Sequence, residues 1–293
     1  MERKQFLYTL IGGLGMSTLA GLRKFSGDLP QRSEMAPLLF VGHGSPMNGI
    51  ESNAFSREWS KKAQSLDRPA AILVISAHWL TKGTRVTAMD QPRTIHDFGG
   101  FPQELFDVQY PAPGAPELAA ETKEIVKAAS IELDHDWGLD HGTWSVLRQM
   151  YPDASIPVIQ LSIDYGKPAQ YHYDLARELA SLRKKGVMIL GSGNMVHNLR
   201  MVAWDKLDVP GFGYDWAQEM HAQFKDKIRL RDHNTLIHYE KMGRAASLAI
   251  PTPDHYYPLL YTLGLQEKNE EPKFFNDELV GGSLNMTSVE FLG

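Results

Sequence analysis

Leu38-Leu39-Phe40-Val41-Gly42-His43-Gly44-Ser45-Pro46 sets the reading of this chain. Its apolar run has no polar alternation that would leave one face wet, so a strand here is covered on both sides. The run then stops abruptly at a Gly-His-Gly turn. Ala71-Ser76, followed by Ala77-His78, repeats the arrangement, and Ile156-Ser162 and Val187-Leu190 supply further strand candidates. Between these runs the period changes. Leu118, Thr122, Ile125, Val126 and Ala129 share one helical face, as do Tyr171, Leu175, Leu179 and Leu182. The region 214–239 reads as a further helix or helix pair, and Thr287-Phe291 as a weaker closing strand. Strands alternating with amphipathic helices specify an α/β fold: a single domain with a central, largely parallel or mixed sheet flanked by helices. The proline-rich Tyr110-Pro116 run is a loop leading into a helix rather than a hinge, and no internal repeat interrupts the chain.

Composition narrows the chemistry. The 293 residues contain no cysteine, which removes disulfides, thiolate nucleophiles, iron-sulfur clusters and Cys-ligated zinc. Any metal must be held by His, Asp or Glu. The net charge of -5, with no basic run, gives no electrostatic footprint for nucleic acid, so a small-molecule partner is expected.

Residues 1–30 stand apart. A basic start, Arg3-Lys4, precedes the uncharged stretch Gln5-Leu22, as in an export signal. Arg3-Lys4-Gln5-Phe6-Leu7 is twin-arginine-like with Lys in second place, so a periplasmic location is expected if the segment acts as a signal, and a cytoplasmic one if it is a flexible N-terminal segment. The fold is assigned to residues 31–293, with no stable membrane span in that domain.

The chain carries eleven histidines, and position singles out a few of them. His43 and His78 each follow a strand candidate, at the carboxyl edge where open α/β sheets bind ligands. His197 reaches the same edge after Val187-Leu190 and the turn Gly191-Ser192-Gly193-Asn194, and His255 follows the two-proline turn Pro251-Thr252-Pro253-Asp254 at a helix start. A lone His in such a place is usually structural. Four at four chain turns point to one dispersed metal site, because imidazole is the commonest ligand available to a chain without cysteine. His141 begins a helix after Asp140, which can cap the helix or orient the ring, and a His so placed can accept a proton. His96, in the loop Ile95-His96-Asp97-Phe98-Gly99-Gly100-Phe101, is a candidate for lining a substrate mouth, with Trp79, Phe98, Phe101 and Trp144 available to stack on a planar ring or to fill the core. His135, His172, His221, His233 and His238 receive no role. Neither a phosphate-cradling G-x-x-x-x-G-K-[ST] or G-x-G-x-x-G pattern nor a G-x-S-x-G elbow occurs.

Taken together, Gly42-His43-Gly44-Ser45-Pro46-Met47-Asn48, Ser76-Ala77-His78-Trp79, Ile95-His96-Asp97-Phe98, Asp140-His141-Gly142-Thr143-Trp144, Gly191-Ser192-Gly193-Asn194 with Val196-His197-Asn198, and Asp254-His255 with Pro258-Leu259-Leu260 resemble the 4,5-DOPA dioxygenase extradiol family, among the class III extradiol ring-cleavage dioxygenases. The likeness runs from about Pro37 to the C-terminus. It implies a non-haem metal enzyme that opens a catechol-type, DOPA-like ring beside its diol with both atoms of O2. It implies one divalent ion per chain, Fe(II) for activity with Zn(II) an alternative occupant, and carries the metal-site role to His43, His78, His197 and His255, and a place near the substrate to His141. Distant class III relatives use two His and a carboxylate, whereas this chain has His255 with Asp254 adjacent. His197 therefore stays open between ligand and acid/base. Two other readings of the histidines stay open as well: a zinc hydrolase, for which no Glu base stands in a helical motif, and a redox-silent metal-binding protein on the same scaffold.

Overall fold

Along β1 (Leu38–Gly42) successive side chains leave the backbone on opposite faces, and both faces are filled: Leu38 and Phe40 enter one core, Leu39 and Val41 the other. β2 (Ala71–Thr81) repeats this, with Ala71, Leu73 and Ile75 on the first side and Ile72 and Val74 on the second. Such strands lose their polar alternation because neither face meets water. The computed structural model describes residues 35–292, so the candidate export segment lies outside the described residues.

The strands that follow are β3 (Thr84–Thr87), β4 (Arg93–Thr94), β5 (Ile131–Asp134), β6 (Gly138–Leu139), β7 (Val158–Asp164), β8 (Val187–Gly193), β9 (Glu271–Phe275), β10 (Leu279–Val280), β11 (Leu284–Asn285) and β12 (Ser288–Leu292). Eight of them form one mixed sheet in the order β5-β3-β7-β2-β8-β1-β12-β9, parallel through β7, β2, β8 and β1 and antiparallel at β12 and β9. Two short ribbons, β4 with β6 and β10 with β11, stand outside it.

Among the described residues six helices of eight or more residues flank the sheet: α1 (Ala54–Ser65), α2 (Pro116–Ile125), α3 (His141–Met150), α4 (Ala169–Glu178), α5 (Asp215–Arg229) and α6 (Tyr257–Leu265). Trp59 and Ala63 of α1 and Trp144, Val146 and Leu147 of α3 close one core. Leu118 of α2, Leu175 of α4, Phe224 of α5 and Leu260 of α6 close the other. Each fully buried aliphatic side chain contributes about 2 kcal/mol over an exposed one, so both layers stabilise the sheet.

The expected elements are present with shifted ends. Val126 is already extended, so Ala129 lies beyond α2, and the 171–182 helix divides at Leu179 into α4 and a short turn, Ala180–Lys184. The 156–162 strand starts later, at Val158, after Pro157. Region 214–239 is a pair, α5 and His233–Ile237, broken where Arg231 takes a left-handed φ of 54°. Among the described residues no helix is long and apolar enough to cross a membrane.

Candidate metal centre and substrate cleft

Four chain turns converge at the carboxyl edge of the parallel strands. His43 leaves β1 with its N–H donated to the Gly193 carbonyl, at 3.1 Å. His78 lies within β2 rather than after it, because the strand continues to Thr81 across a shift in its pairing with β7 between Ile75 and Leu80. β8 delivers His197, whose N–H is held by the Ala249 carbonyl at 2.8 Å. The segment carrying His255 packs directly on the end of β8, where Asn194 donates to the His255 carbonyl at 2.9 Å. That approach requires Gly193, since a Cβ there would stand 2.2 Å from the same carbonyl oxygen. Opposite, His141 opens α3, and Gly142 lets the helix start touch β2: a Cβ on it would lie 2.5 Å from Ser76 Oγ.

The imidazoles form one contiguous group. The centroids of His43, His78 and His255 are separated by 4.9 Å (43–78), 5.3 Å (43–255) and 4.9 Å (78–255), and the Nε2 atoms of His43 and His78 are 3.0 Å apart. One ion bound at about 2.1 Å by a nitrogen of each of three rings sets their centroids about 5 Å apart, so this trio fits a shared divalent ion. Ligand-atom proximity instead places His43 and His78 with His141, and His197 with Asp254 and His255, as the two groups able to hold an ion among the described residues. Within those two groups His141 packs 3.8 Å from His78 and 5.6 Å from His43, and His197 stacks on His255 at 3.5 Å and 7°.

Each ring of the trio has a partner at Nδ1. Ser192 Oγ lies 3.0 Å from Nδ1 of His43 and itself donates to the Gly142 carbonyl. Asp97 Oδ2 lies 3.4 Å from Nδ1 of His78 and 3.0 Å from Nδ1 of His141. Asp254 accepts from Nδ1 of His255. Such partners fix the tautomer and turn the other nitrogen toward an ion. Burial, then the neighbouring imidazoles, holds His43 and His78 well below the ordinary histidine range, and burial brings His197 down to about 3. Neutral rings are the form a metal requires. Burial pushes Asp254 and Asp97 upward, but the hydrogen bonds and charges of His255 and His141, respectively, outweigh it and leave both low.

Asp140 caps α3 by accepting from Thr143 N–H at 3.1 Å, and also accepts from Ser76 and Gln160. It does not orient the His141 ring, which Asp97 does. Burial and the nearby Asp97 raise Asp140 to about 6. His96 does not join the imidazole group: its Nε2 binds the Val108 carbonyl at 3.0 Å, and Phe98 packs edge-on against both His96 and His141, at 5.8 and 5.6 Å. Trp144 is fully buried and donates to the Ile95 carbonyl, and Trp79 is buried as well, so these two build walls. Asp97 and Ser192 were legible only as neighbours of motif histidines.

Residues 36–288 match the family model of the catalytic LigB subunit of aromatic ring-opening dioxygenases. The chain belongs to the LigB family of extradiol ring-cleavage dioxygenases. Among LigB relatives, the chain is 47% identical over 267 residues to the 4,5-DOPA dioxygenase extradiol of Escherichia coli K12, covering 90% of this chain and 97% of that one. The corresponding protein of Beta vulgaris is 35% identical over 259 residues, covering 86% and 95%. A crystal structure of an uncharacterised Escherichia coli K12 protein superposes with a TM-score of 0.73 at 42% identity, covering 87% of this chain and 99% of that one. LigB membership sets aside the hydrolase and redox-silent readings and makes this chain a metal-dependent ring-opening enzyme.

Proposed function

We propose that this enzyme opens the ring of a DOPA-like catechol beside its diol, with Fe(II) held by His43, His78 and His255. The observation that carries this reading is the trio of centroids near 5 Å with each Nδ1 already engaged. Zn(II) would fit the same nitrogens without redox activity. When bound, Fe(II) would supply the redox chemistry that the reaction of a diol-bearing ring with O2 requires.

The remaining residues hold and move protons. His141 is the acid/base: Asp97 faces its Nδ1 and can support the imidazolium once the ring has taken a phenolic proton, and the ring can return that proton as the product forms. His197, stacked on His255 and without a side-chain hydrogen bond among the described residues, stands beside the ion rather than on it and is a second proton acceptor. Phe98 offers an aromatic face to the substrate ring, and His96 serves the mouth by fixing the loop through Val108.

Anaerobic reconstitution with Fe(II), followed by air and a panel of catechols, tests the reading. A yellow ring-opened product with one O2 consumed per diol is expected; no oxygen uptake with any catechol would overturn it. His141→Phe and His197→Phe, each retaining iron, should lower turnover by about 10²- to 10⁴-fold.

A further inference from the structure

His78 faces two spaces. Its Nε2 side looks toward His43, while the residue also borders a cleft of about 390 Å³ that runs outward past Trp79, Trp137, Arg85 and Arg93. Trp79 and Trp137 stack on one another along the cleft, their rings parallel within 2° and their centroids 5.8 Å apart. Arg85 is neutralised by Asp134 at 3.2 Å and Glu132 at 3.5 Å. The Arg93 guanidinium has no hydrogen-bond or ion-pair partner among the described residues, although it lines the same cleft.

The β4–β6 ribbon joins this cleft to the histidines. Arg93 pairs with Gly138 and Thr94 with Leu139, and the two chains run on directly to Asp97 and to His141. Gly138 makes the pairing close, since a Cβ there would stand 2.2 Å from the Arg93 carbonyl oxygen. Arg93 is thus held a few residues from the proposed acid/base by a fixed backbone rather than by a free loop.

We propose that this cleft receives the side chain of the aromatic diol and that Arg93 selects substrates whose side chain ends in a carboxylate. The inference rests on the catechol reading above. The stacked indoles give a short alkyl chain an apolar surface to lie against, and an uncommitted guanidinium offers a forked, charge-assisted contact to a carboxylate. Asp136 also lines the cleft, so a cationic side chain is the competing chemistry.

Three diols decide between them: 3-(3,4-dihydroxyphenyl)propanoate, 4-methylcatechol and 4-(2-aminoethyl)catechol, assayed with iron-loaded wild type, Arg93→Gln and Arg93→Lys. The propanoate should be favoured over 4-methylcatechol by about tenfold in kcat/KM, through KM. Arg93→Gln should bring that ratio to about one, and Arg93→Lys should keep part of it. Calorimetric titration of the propanoate into metal-free wild type and Arg93→Gln under nitrogen should show the same loss without turnover. No preference in the wild type, a preference for the amine, or a ratio and affinity unmoved by Arg93→Gln would overturn the assignment. If no diol is opened but the Arg93-dependent binding persists, the catechol reading fails while the anion subsite stands.

Discussion

Asp97 grips His141 twice: Oδ1 accepts the backbone N–H at 2.9 Å, and Oδ2 faces the ring Nδ1 at 3.0 Å. The same Oδ2 lies 3.4 Å from Nδ1 of His78, so one carboxylate couples a proposed acid/base to a proposed metal ligand. Asp97→Asn preserves the shape but removes the charge and presents an amide donor to one ring or the other. Turnover of the iron-loaded enzyme should fall about 100-fold, the upper range for losing such a supporting partner. An oxygen electrode gives the rate, and metal analysis on the same sample shows how much of the loss is iron. Turnover within about threefold of wild type would refute the coupling.

At His255 the support comes from the preceding residue, Asp254, which is held low and ionised by the hydrogen bond and charge of His255 despite partial burial. His43→Ala and His255→Ala should each abolish retention of Fe(II) or Zn(II) after desalting. Asp254→Asn should keep the site but weaken metal affinity by about 10- to 100-fold, as measured against a chromophoric chelator. Full metal loading of His255→Ala would exclude that residue as a ligand.

How far the sequence disclosed this molecule depends on how local each signal was. β1 and β8 open as apolar runs that end at Gly, and the apolar run of β2 leads to His78 inside the strand, so strand and site edge were readable together. β3 and β5, Thr84–Thr87 and Ile131–Asp134, are short and half polar, and escape such a reading. β9 begins Glu271-Pro272, a pair that a central strand would reject but a sheet edge tolerates, because proline has no N–H to leave unpaired there. His43, His141, His197 and His255 were found because each sits at a chain turn, and His78 because it follows an apolar run. Asp97 was not: its role arises from a side chain reaching His141, 44 residues away, which no spacing rule encodes.

His172 offers a test of burial away from the metal. It is fully buried, with Nδ1 3.0 Å from Tyr261 OH and its ring 4.4 Å from that of Tyr257, and burial lowers its pKa from 6.5 to about 4. The folded state therefore refuses a proton that the unfolded chain accepts. The stabilisation is complete above pH 6.5 and is lost as pH falls from there toward about 4, amounting to about 2 kcal/mol by pH 5. Urea midpoints of chelator-treated wild type and His172→Gln at about pH 7.5 and about pH 5 should show a smaller decline for the variant. Equal declines would mean that His172 is not held neutral by the fold.

Gly193 ties the sheet to the metal centre through backbone alone. It ends β8, its carbonyl accepts the His43 N–H, and the space a Cβ would need is filled by the His255 carbonyl. In Gly193→Ala the added methyl must push the His255 segment outward, because neither backbone can yield by rotating a side chain. A cost of about 1–3 kcal/mol in stability is expected from such overpacking. The larger effect should be on the metal: displacing the His255 ring from the trio should weaken retention by at least about tenfold, on the scale seen when a ligand loses its orientation. Thermal melting and chelator competition on one preparation separate the two effects. If the variant melts lower yet holds metal as tightly as wild type, the close approach at Gly193 serves packing alone and does not position His255.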